Sequence, residues 1–127
     1  MKVYKLSYKR PVKKGITSTL LIGFFDSEKI ALEVKKEYLQ KPGFSEFGDH
    51  FVVDEYELAL NTAKLFYVQS EYYDSKTMCD IITEIGLFGS KTDAEMAAAK
   101  KKRKNEICSI DTYELNEKNW QEGFAVD

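Results

Sequence analysis

Two short sequence patterns each occur twice in this chain. Residues 22–27 read Ile-Gly-Phe-Phe-Asp-Ser, and residues 85–90, which lie 63 positions later, read Ile-Gly-Leu-Phe-Gly-Ser. Residues 54–58 read Asp-Glu-Tyr-Glu-Leu, and residues 111–115, which lie 57 positions later, read Asp-Thr-Tyr-Glu-Leu. Similarity at a fixed spacing indicates a duplicated unit of about 60 residues, and this restricts the fold more than any other feature.

The spacing also predicts how the two copies align. At the offset of 63 three more pairs are identical, namely Tyr4 and Tyr67, Ser7 and Ser70, and Ala31 and Ala94. We therefore expect the copies to align without a gap from Tyr4 to Ala31. Because the offset falls from 63 to 57 at the second pattern, the second copy is expected to be six residues shorter after its helix.

Each copy has the residue pattern of a β-β-α-β unit. Alternating or β-rich segments predict strands at residues 2–9, 19–25, 51–58, 65–73, 80–88 and 107–115. Ser27 and Ser90 are suitable N-caps for two helices, the second of which is predicted from about residue 92 to 105. Residues 10–15 predict a charged hairpin loop, because Pro11 and Gly15 interrupt the strand pattern.

The handedness of strand–helix–strand connections predicts how the units assemble. A right-handed crossover makes its two strands parallel, so the first strand of the hairpin can lie between them. We predict an α+β fold in which two ββαβ repeats, residues 1–60 and 64–127, form a single domain. It would contain one mixed sheet of about six strands with two helices on one face. The alternative is two half-domains with a narrow interface.

Composition favours an ordinary folded domain. The chain has 127 residues, of which 43% are hydrophobic and 31% charged, with 19 basic and 21 acidic residues. The near-balance of charge gives no support for general nucleic-acid binding. No segment approaches the length of apolar sequence needed to span a bilayer, and no signal-peptide pattern is present at the N-terminus. With two isolated cysteines, we expect a cytoplasmic protein without disulfides.

Catalytic and metal-binding patterns are weak. The sole histidine, His50, lies in a predicted loop, and neither Cys79 nor Cys108 lies in a nucleophile motif. Asp49, His50 and Asp54 could in principle approach one another, but their spacing does not require it. We therefore expect no catalytic residues, no metal and no cofactor. The basic run at residues 100–104 is interpreted as a solvated helix end.

Acidic and aromatic residues are the better candidates for recognition. The candidate partner-binding residues are Phe44, Glu46, Phe47, Asp49, Glu71, Tyr72, Tyr73 and Asp74. Aromatic side chains carry much of the binding energy of protein interfaces. Carboxylates around them would suit a basic partner. Ordinary solvated loops remain the alternative.

Two further segments carry a family resemblance. Residues 41–44 read Lys-Pro-Gly-Phe, and residues 113–124 follow the pattern Tyr-Glu-Leu-x4-Trp-x-x-Gly-Phe. Together with residues 51–58 they resemble a small family of bacterial domains of unknown function, present here as a tandem, partly degenerate pair. Similar modules occur among immunity-type proteins, and the resemblance implies no catalytic residues. Trp120 and Phe124 are expected to pack against the domain edge.

These observations predict a non-enzymatic, cytoplasmic protein-binding module. Its most specific form is an immunity protein that binds and neutralises a cognate bacterial toxin, with a basic toxin domain as the protein partner. Two alternatives remain open, a small-ligand sensor or regulatory domain with a pocket between the repeats, and a structural homodimer. Neither a membrane nor a nucleic-acid partner is expected.

Overall fold

The computed structural model describes residues 1–13, 16–46, 50–59, 61–101 and 106–119. The chain divides into two compact units, which are described separately. The first unit combines Met1–Glu57 with Leu115–Asp127, and the second is Leu58–Glu114. The expectation of a single domain stays a prediction. Within the described residues, no helix is long and apolar enough to cross a membrane.

The two units have the same order of strands and α-helices, and the first unit also contains a 3-10 helix. The first contains β1 (Lys2–Lys13), β2 (Ile16–Phe25), α1 (Glu28–Tyr38), a short 3-10 helix (Phe44–Glu46) and β3 (Phe51–Glu57). The second contains β4 (Lys64–Asp74), β5 (Cys79–Phe88), α2 (Lys91–Lys101) and β6 (Glu106–Glu114).

The described strands form two three-stranded sheets, ordered β2-β1-β3 and β5-β4-β6. The α+β class and the central position of each hairpin's first strand are therefore confirmed. The sequence predicted one mixed sheet of about six strands, but every pair of neighbouring strands is antiparallel. The physical reason is that the first hairpin strand separates the two parallel strands of each crossover, so these never become neighbours.

Strand pairing also corrects the predicted alignment of the copies. Tyr4 pairs with Phe25 and Glu55, whereas Phe66 pairs with Phe88 and Thr112. Phe66 therefore occupies the position of Tyr4, at an offset of 62 rather than 63. The identities of Tyr4 with Tyr67 and of Ser7 with Ser70 do not mark equivalent strand positions.

Both hairpins contain an irregularity at the same place. The pairing shifts by one residue between Leu6 and Ser7 in β1, and between Val68 and Gln69 in β4. The extra residue on the opposite strand is Ile22 in the first hairpin and Ile85 in the second. A bulge of this kind bends a strand and increases its twist.

The first hairpin is longer than the sequence predicted. Residues 10–13 continue β1 instead of belonging to a loop, and a second register shift occurs between Pro11 and Lys13. Proline is tolerated there because β3 pairs with β1 only as far as Tyr8, so among the described strands this end of β1 pairs with β2 alone.

The helices begin where the sequence predicted. Ser27 Oγ accepts a hydrogen bond from the amide of Ile30 at 3.1 Å, and Ser90 Oγ accepts one from the amide of Asp93 at 3.2 Å. The two caps lie 63 residues apart, so the helices correspond residue by residue, and Ala31 and Ala94 are both fully buried. Described residues of α2 end at Lys101, and the predicted continuation to residue 105 lies outside the described chain.

Aromatic packing dominates the core of the first unit. Phe44 contacts Tyr8, Tyr38 and Phe51, with ring centroids 4.7, 5.3 and 5.7 Å apart. The buried cluster is Leu6, Tyr8, Ile22, Phe25, Ala31, Val34, Tyr38 and Phe44. Side chains of α1 and the 3-10 helix thus cover one face of the first sheet.

The segment after β6 belongs to the first unit, where it lies along the outer edge of β2; we call residues 115–119 the docked segment. The Asn116 and Asn119 amides donate to the carbonyls of Phe24 and Ile22, each at 2.7 Å. Asn116 Oδ1 accepts from the Asp26 amide at 3.1 Å. Asn116 adopts a left-handed φ of 65°, a conformation that asparagine tolerates better than most residues.

Candidate functional site

One face of the second sheet is exposed at its distal end, towards the β4–β5 turn. Cross-strand pairing places Ile82, Glu71 and Ile107 side by side on this face, on β5, β4 and β6 respectively. Tyr73 and Asp80 form the next pair along the same face. We call these five residues the acidic face.

The apolar members of the acidic face are unusually exposed. The exposed fraction is 58% for Tyr73, 62% for Ile82 and 71% for Ile107. Single exposed apolar residues are common, but these three share one sheet face, which makes this face the candidate for an interaction site. The same face is buried at its other end, where Leu65 is inaccessible and Leu87 is 7% exposed. The apolar surface is therefore confined to the distal end.

Every charged side chain that the described strands place on this side of the second sheet is acidic. These residues are Glu71, Asp80, Glu84 and Asp111. The Tyr67 hydroxyl donates to Glu84 Oε1 at 2.6 Å and so fixes one of the carboxylates. The charges that the described strands place on this side are therefore all negative, which favours a positively charged partner.

The turn between β4 and β5 holds the end of the acidic face in place. Asp74 Oδ1 accepts from the Lys76 amide at 3.2 Å, and Asp74 Oδ2 accepts from Thr77 Oγ1 at 2.9 Å. Aspartate commonly stabilises turns in this way. Met78 follows with a φ of 57° and is 76% exposed, so the tip carries another apolar side chain.

The second predicted cluster divides between the two faces of β4. Glu71 and Tyr73 lie on the acidic face, as their shared register requires. Tyr72 pairs with Ile81 and Glu106 on the opposite face. This is the face that α2 covers, because Cys108 Sγ on β6 donates to the Ala98 carbonyl of α2 at 3.6 Å. The Asp74 carboxylate accepts the two hydrogen bonds of the β4–β5 turn. The period of two along a strand separates these four neighbours.

The first predicted cluster does not form a comparable surface within the described residues. Phe44 is fully buried in the aromatic core, so its ring cannot contact a partner and this assignment is corrected. Of Glu46 only the backbone is described, and Phe47 and Asp49 lie outside the described residues. Trp120 and Phe124 also lie outside them.

Sequence reasoning missed five residues on this side of the sheet: Asp80, Ile82, Glu84, Ile107 and Asp111. One signal was available, because the neighbours Ile81 and Ile82 cannot both face the core of a strand. Ile81 is half-buried and Ile82 exposed. The contribution of β6 could not be found without the strand register.

The structure also describes the histidine and the two cysteines. His50 Nδ1 lies 3.0 Å from the Lys9 carbonyl, which anchors the residue before β3. Cys79 is exposed and Cys108 half-buried, and both are free thiols. Across the part of the chain that the structure describes, no group of three or more His, Cys, Asp or Glu residues could hold a metal ion.

Comparisons with protein-family models, with curated proteins and with solved structures found no match for this chain. The resemblance to small bacterial modules therefore stays a prediction. The acidic face is the basis for a functional assignment.

Proposed function

We propose that this chain is a non-enzymatic protein-binding module whose acidic face binds a basic surface on another protein. In its most specific form it is a cytoplasmic immunity protein that neutralises a cognate bacterial toxin by covering the toxin's basic surface. We also interpret the two ββαβ units as copies of one ancestral unit, since their caps, bulges and strand orders correspond.

The observation that supports binding is the exposure of Tyr73, Ile82 and Ile107 beside Glu71 and Asp80. Interfaces gain affinity from apolar and aromatic side chains at their centre, and charges around the centre raise the association rate. This surface offers both. A partner with an apolar patch surrounded by Lys or Arg would be complementary to it.

Charge makes a second copy of this chain a poor occupant of the same surface. A two-fold interface brings the same patch of each copy together. Glu71 and Asp80 would then face their counterparts without a basic residue from this side of the described sheet. Like charges in apposition oppose such association, so a basic partner is favoured over the homodimer.

Capture with paired baits tests this function. Tagged wild-type chain, Glu71→Lys and Glu33→Lys would be used on lysate of the source cells. Both substitutions change the net charge equally, but Glu33 is an exposed residue of α1 in the other unit. We expect a basic protein to bind the wild type and Glu33→Lys baits in stoichiometric amount and to be lost from Glu71→Lys. Equal recovery on all three baits would contradict the proposed surface.

Co-expression tests the specific form as an immunity protein. If the captured protein is toxic, the wild-type chain should restore growth, and Glu71→Lys should protect less than Glu33→Lys. A captured partner that is harmless to cells would remove the immunity assignment and leave the binding surface intact. Protection that does not depend on Glu71 would contradict the surface.

A further inference from the structure

The docked segment shows what binds the outer edge of a sheet in this fold. In the first unit, β2 accepts two backbone hydrogen bonds through the carbonyls of Ile22 and Phe24. Asn119 Nδ2 adds a third bond to Ile22 at 3.2 Å. Lys118 Nζ then reaches across to α1 and contacts both carboxylate oxygens of Glu37, at 2.9 and 3.2 Å.

The second unit has the equivalent edge, and none of the described backbone hydrogen bonds joins another segment to it. By pairing register, the carbonyls equivalent to those of Ile22 and Phe24 are those of Ile85 and Leu87 on β5. β5 is an edge strand, and no described strand pairs with its outer side. An open edge is a template for an added strand.

A cavity lies beside this edge. It has a volume of about 330 Å³ and lies between the end of β5 and one stripe of α2. Its lining residues are Phe88, Asp93, Met96, Ala97 and Lys100. Met96 is 55% exposed, so the cavity offers apolar contact to a side chain of the added segment.

The α2 residue at the end of this cavity has the opposite charge to its counterpart on α1. Since the helix caps lie 63 residues apart, Lys100 occupies the position of Glu37. Glu37 holds the lysine of the docked segment, so Lys100 would hold a carboxylate at the same place. A second copy's residues 115–119 would bring Lys118 against Lys100, and repulsion between like charges disfavours that occupant.

We infer that the outer edge of β5 and the adjoining stripe of α2 bind an acidic segment of another protein in the way that β2 and α1 bind the docked segment. Backbone amides of the segment donate to the Ile85 and Leu87 carbonyls, an apolar side chain enters the cavity, and a carboxylate pairs with Lys100. This site is separate from the acidic face and does not depend on the function proposed for it.

Two synthetic peptides test the inference on the full chain. One is acetyl-Leu-Asn-Glu-Lys-Asn-amide, the sequence of residues 115–119, and the other is acetyl-Leu-Asn-Glu-Glu-Asn-amide. Amide chemical shifts of labelled protein would be followed up to millimolar peptide. We expect the acidic peptide to shift the amides around Ile85 and Leu87, with about two- to fivefold higher affinity than the basic peptide, as for an exposed ion pair.

Charge reversal supplies the decisive control. In Lys100→Glu the preference should reverse, so that the basic peptide binds more tightly. Lys29→Glu, at an exposed position of α1, makes the same change in net charge and should keep the wild-type preference. The inference is overturned if the shifts occur away from β5, if none occur, or if Lys100→Glu and Lys29→Glu rank the peptides alike.

Discussion

A glycine pair provides a test of the docked segment. Gly23 and Gly86 occupy equivalent positions on β2 and β5. A Cβ atom at Gly23 would collide with the backbone carbonyl of Glu117, and it would lie 3.0 Å from the Phe25 ring. For a Cβ atom at Gly86, the nearest described atoms are those of the Phe88 ring, at 3.1 Å. We therefore expect Gly23→Ala to displace the docked segment. Gly86→Ala makes a close contact with the Phe88 ring, similar to the contact of Gly23→Ala with the Phe25 ring.

The expected difference follows from the lost hydrogen bonds. Displacement at Gly23 breaks the Asn116–Phe24 and Asn119–Ile22 bonds, and a typical hydrogen bond contributes about 0.5–1.5 kcal/mol net. Gly23→Ala should therefore lower the free energy of unfolding by about 1–3 kcal/mol. Gly86→Ala should be close to neutral, because alanine is favoured over glycine in a strand by about 0.5–1 kcal/mol and this offsets the ring contact.

Two measurements decide the matter. Urea denaturation gives the free energy of unfolding, and hydrogen exchange at the amides of Asn116 and Asn119 reports the docked segment directly. Gly23→Ala should accelerate exchange at both amides, and Gly86→Ala should not. If both variants show wild-type exchange at Asn116 and Asn119, the docking geometry is refuted.

Two further substitutions test the first core and the turn. Among the described residues the buried Tyr38 hydroxyl has no hydrogen-bond partner, so Tyr38→Phe should keep or raise stability, by up to about 1 kcal/mol. Burial, with a smaller contribution from Glu37, raises the pKa of Tyr38, so the free energy of unfolding falls when the pH rises above about 10 and the unfolded chain ionises more readily than the folded one. Urea denaturation at pH 8 and pH 11 should show a smaller alkaline loss of stability in Tyr38→Phe than in the wild type, and an equal loss would contradict this. Asp74→Ala should lower the unfolding free energy by about 1–2 kcal/mol by removing two turn hydrogen bonds, whereas a change below about 0.3 kcal/mol in thermal or urea unfolding would argue against that role.

Local features of the fold could be predicted from the sequence. Ser27 and Ser90 mark the helix starts because a cap requires only a side-chain oxygen and an amide three residues later. The central strand of each sheet follows from the handedness of the crossover. Both depend on neighbouring residues or on a general rule of chain connection.

Strand register could not be predicted in the same way. The identity of Tyr4 with Tyr67 suggested an offset that the pairing of Tyr4 and Phe66 corrects by one residue. A shift of one residue moves each side chain to the opposite face. For this reason the sequence grouped Tyr72 with Tyr73, although the two side chains lie on different faces of β4.

The acidic face and the docked segment depend on contacts between distant residues. Ile82, Glu71 and Ile107 become neighbours only through two strand pairings. Asn116 bonds with Asp26, a residue 90 positions away. No local pattern encodes either arrangement. The sequence analysis therefore named Glu71 and Tyr73 of the acidic face but not Asp80, Ile82 or Ile107.

The most direct test of the acidic face is the affinity of the captured partner for two serine variants. Ile82 on the acidic face and Leu32 on α1 are exposed apolar residues, with exposed fractions of 62% and 46%. Isothermal titration calorimetry should show that Ile82→Ser weakens binding by about tenfold or more, as expected for an interface centre, while Leu32→Ser binds like the wild type. Wild-type affinity in Ile82→Ser, or a loss confined to Leu32→Ser, would contradict binding through this face.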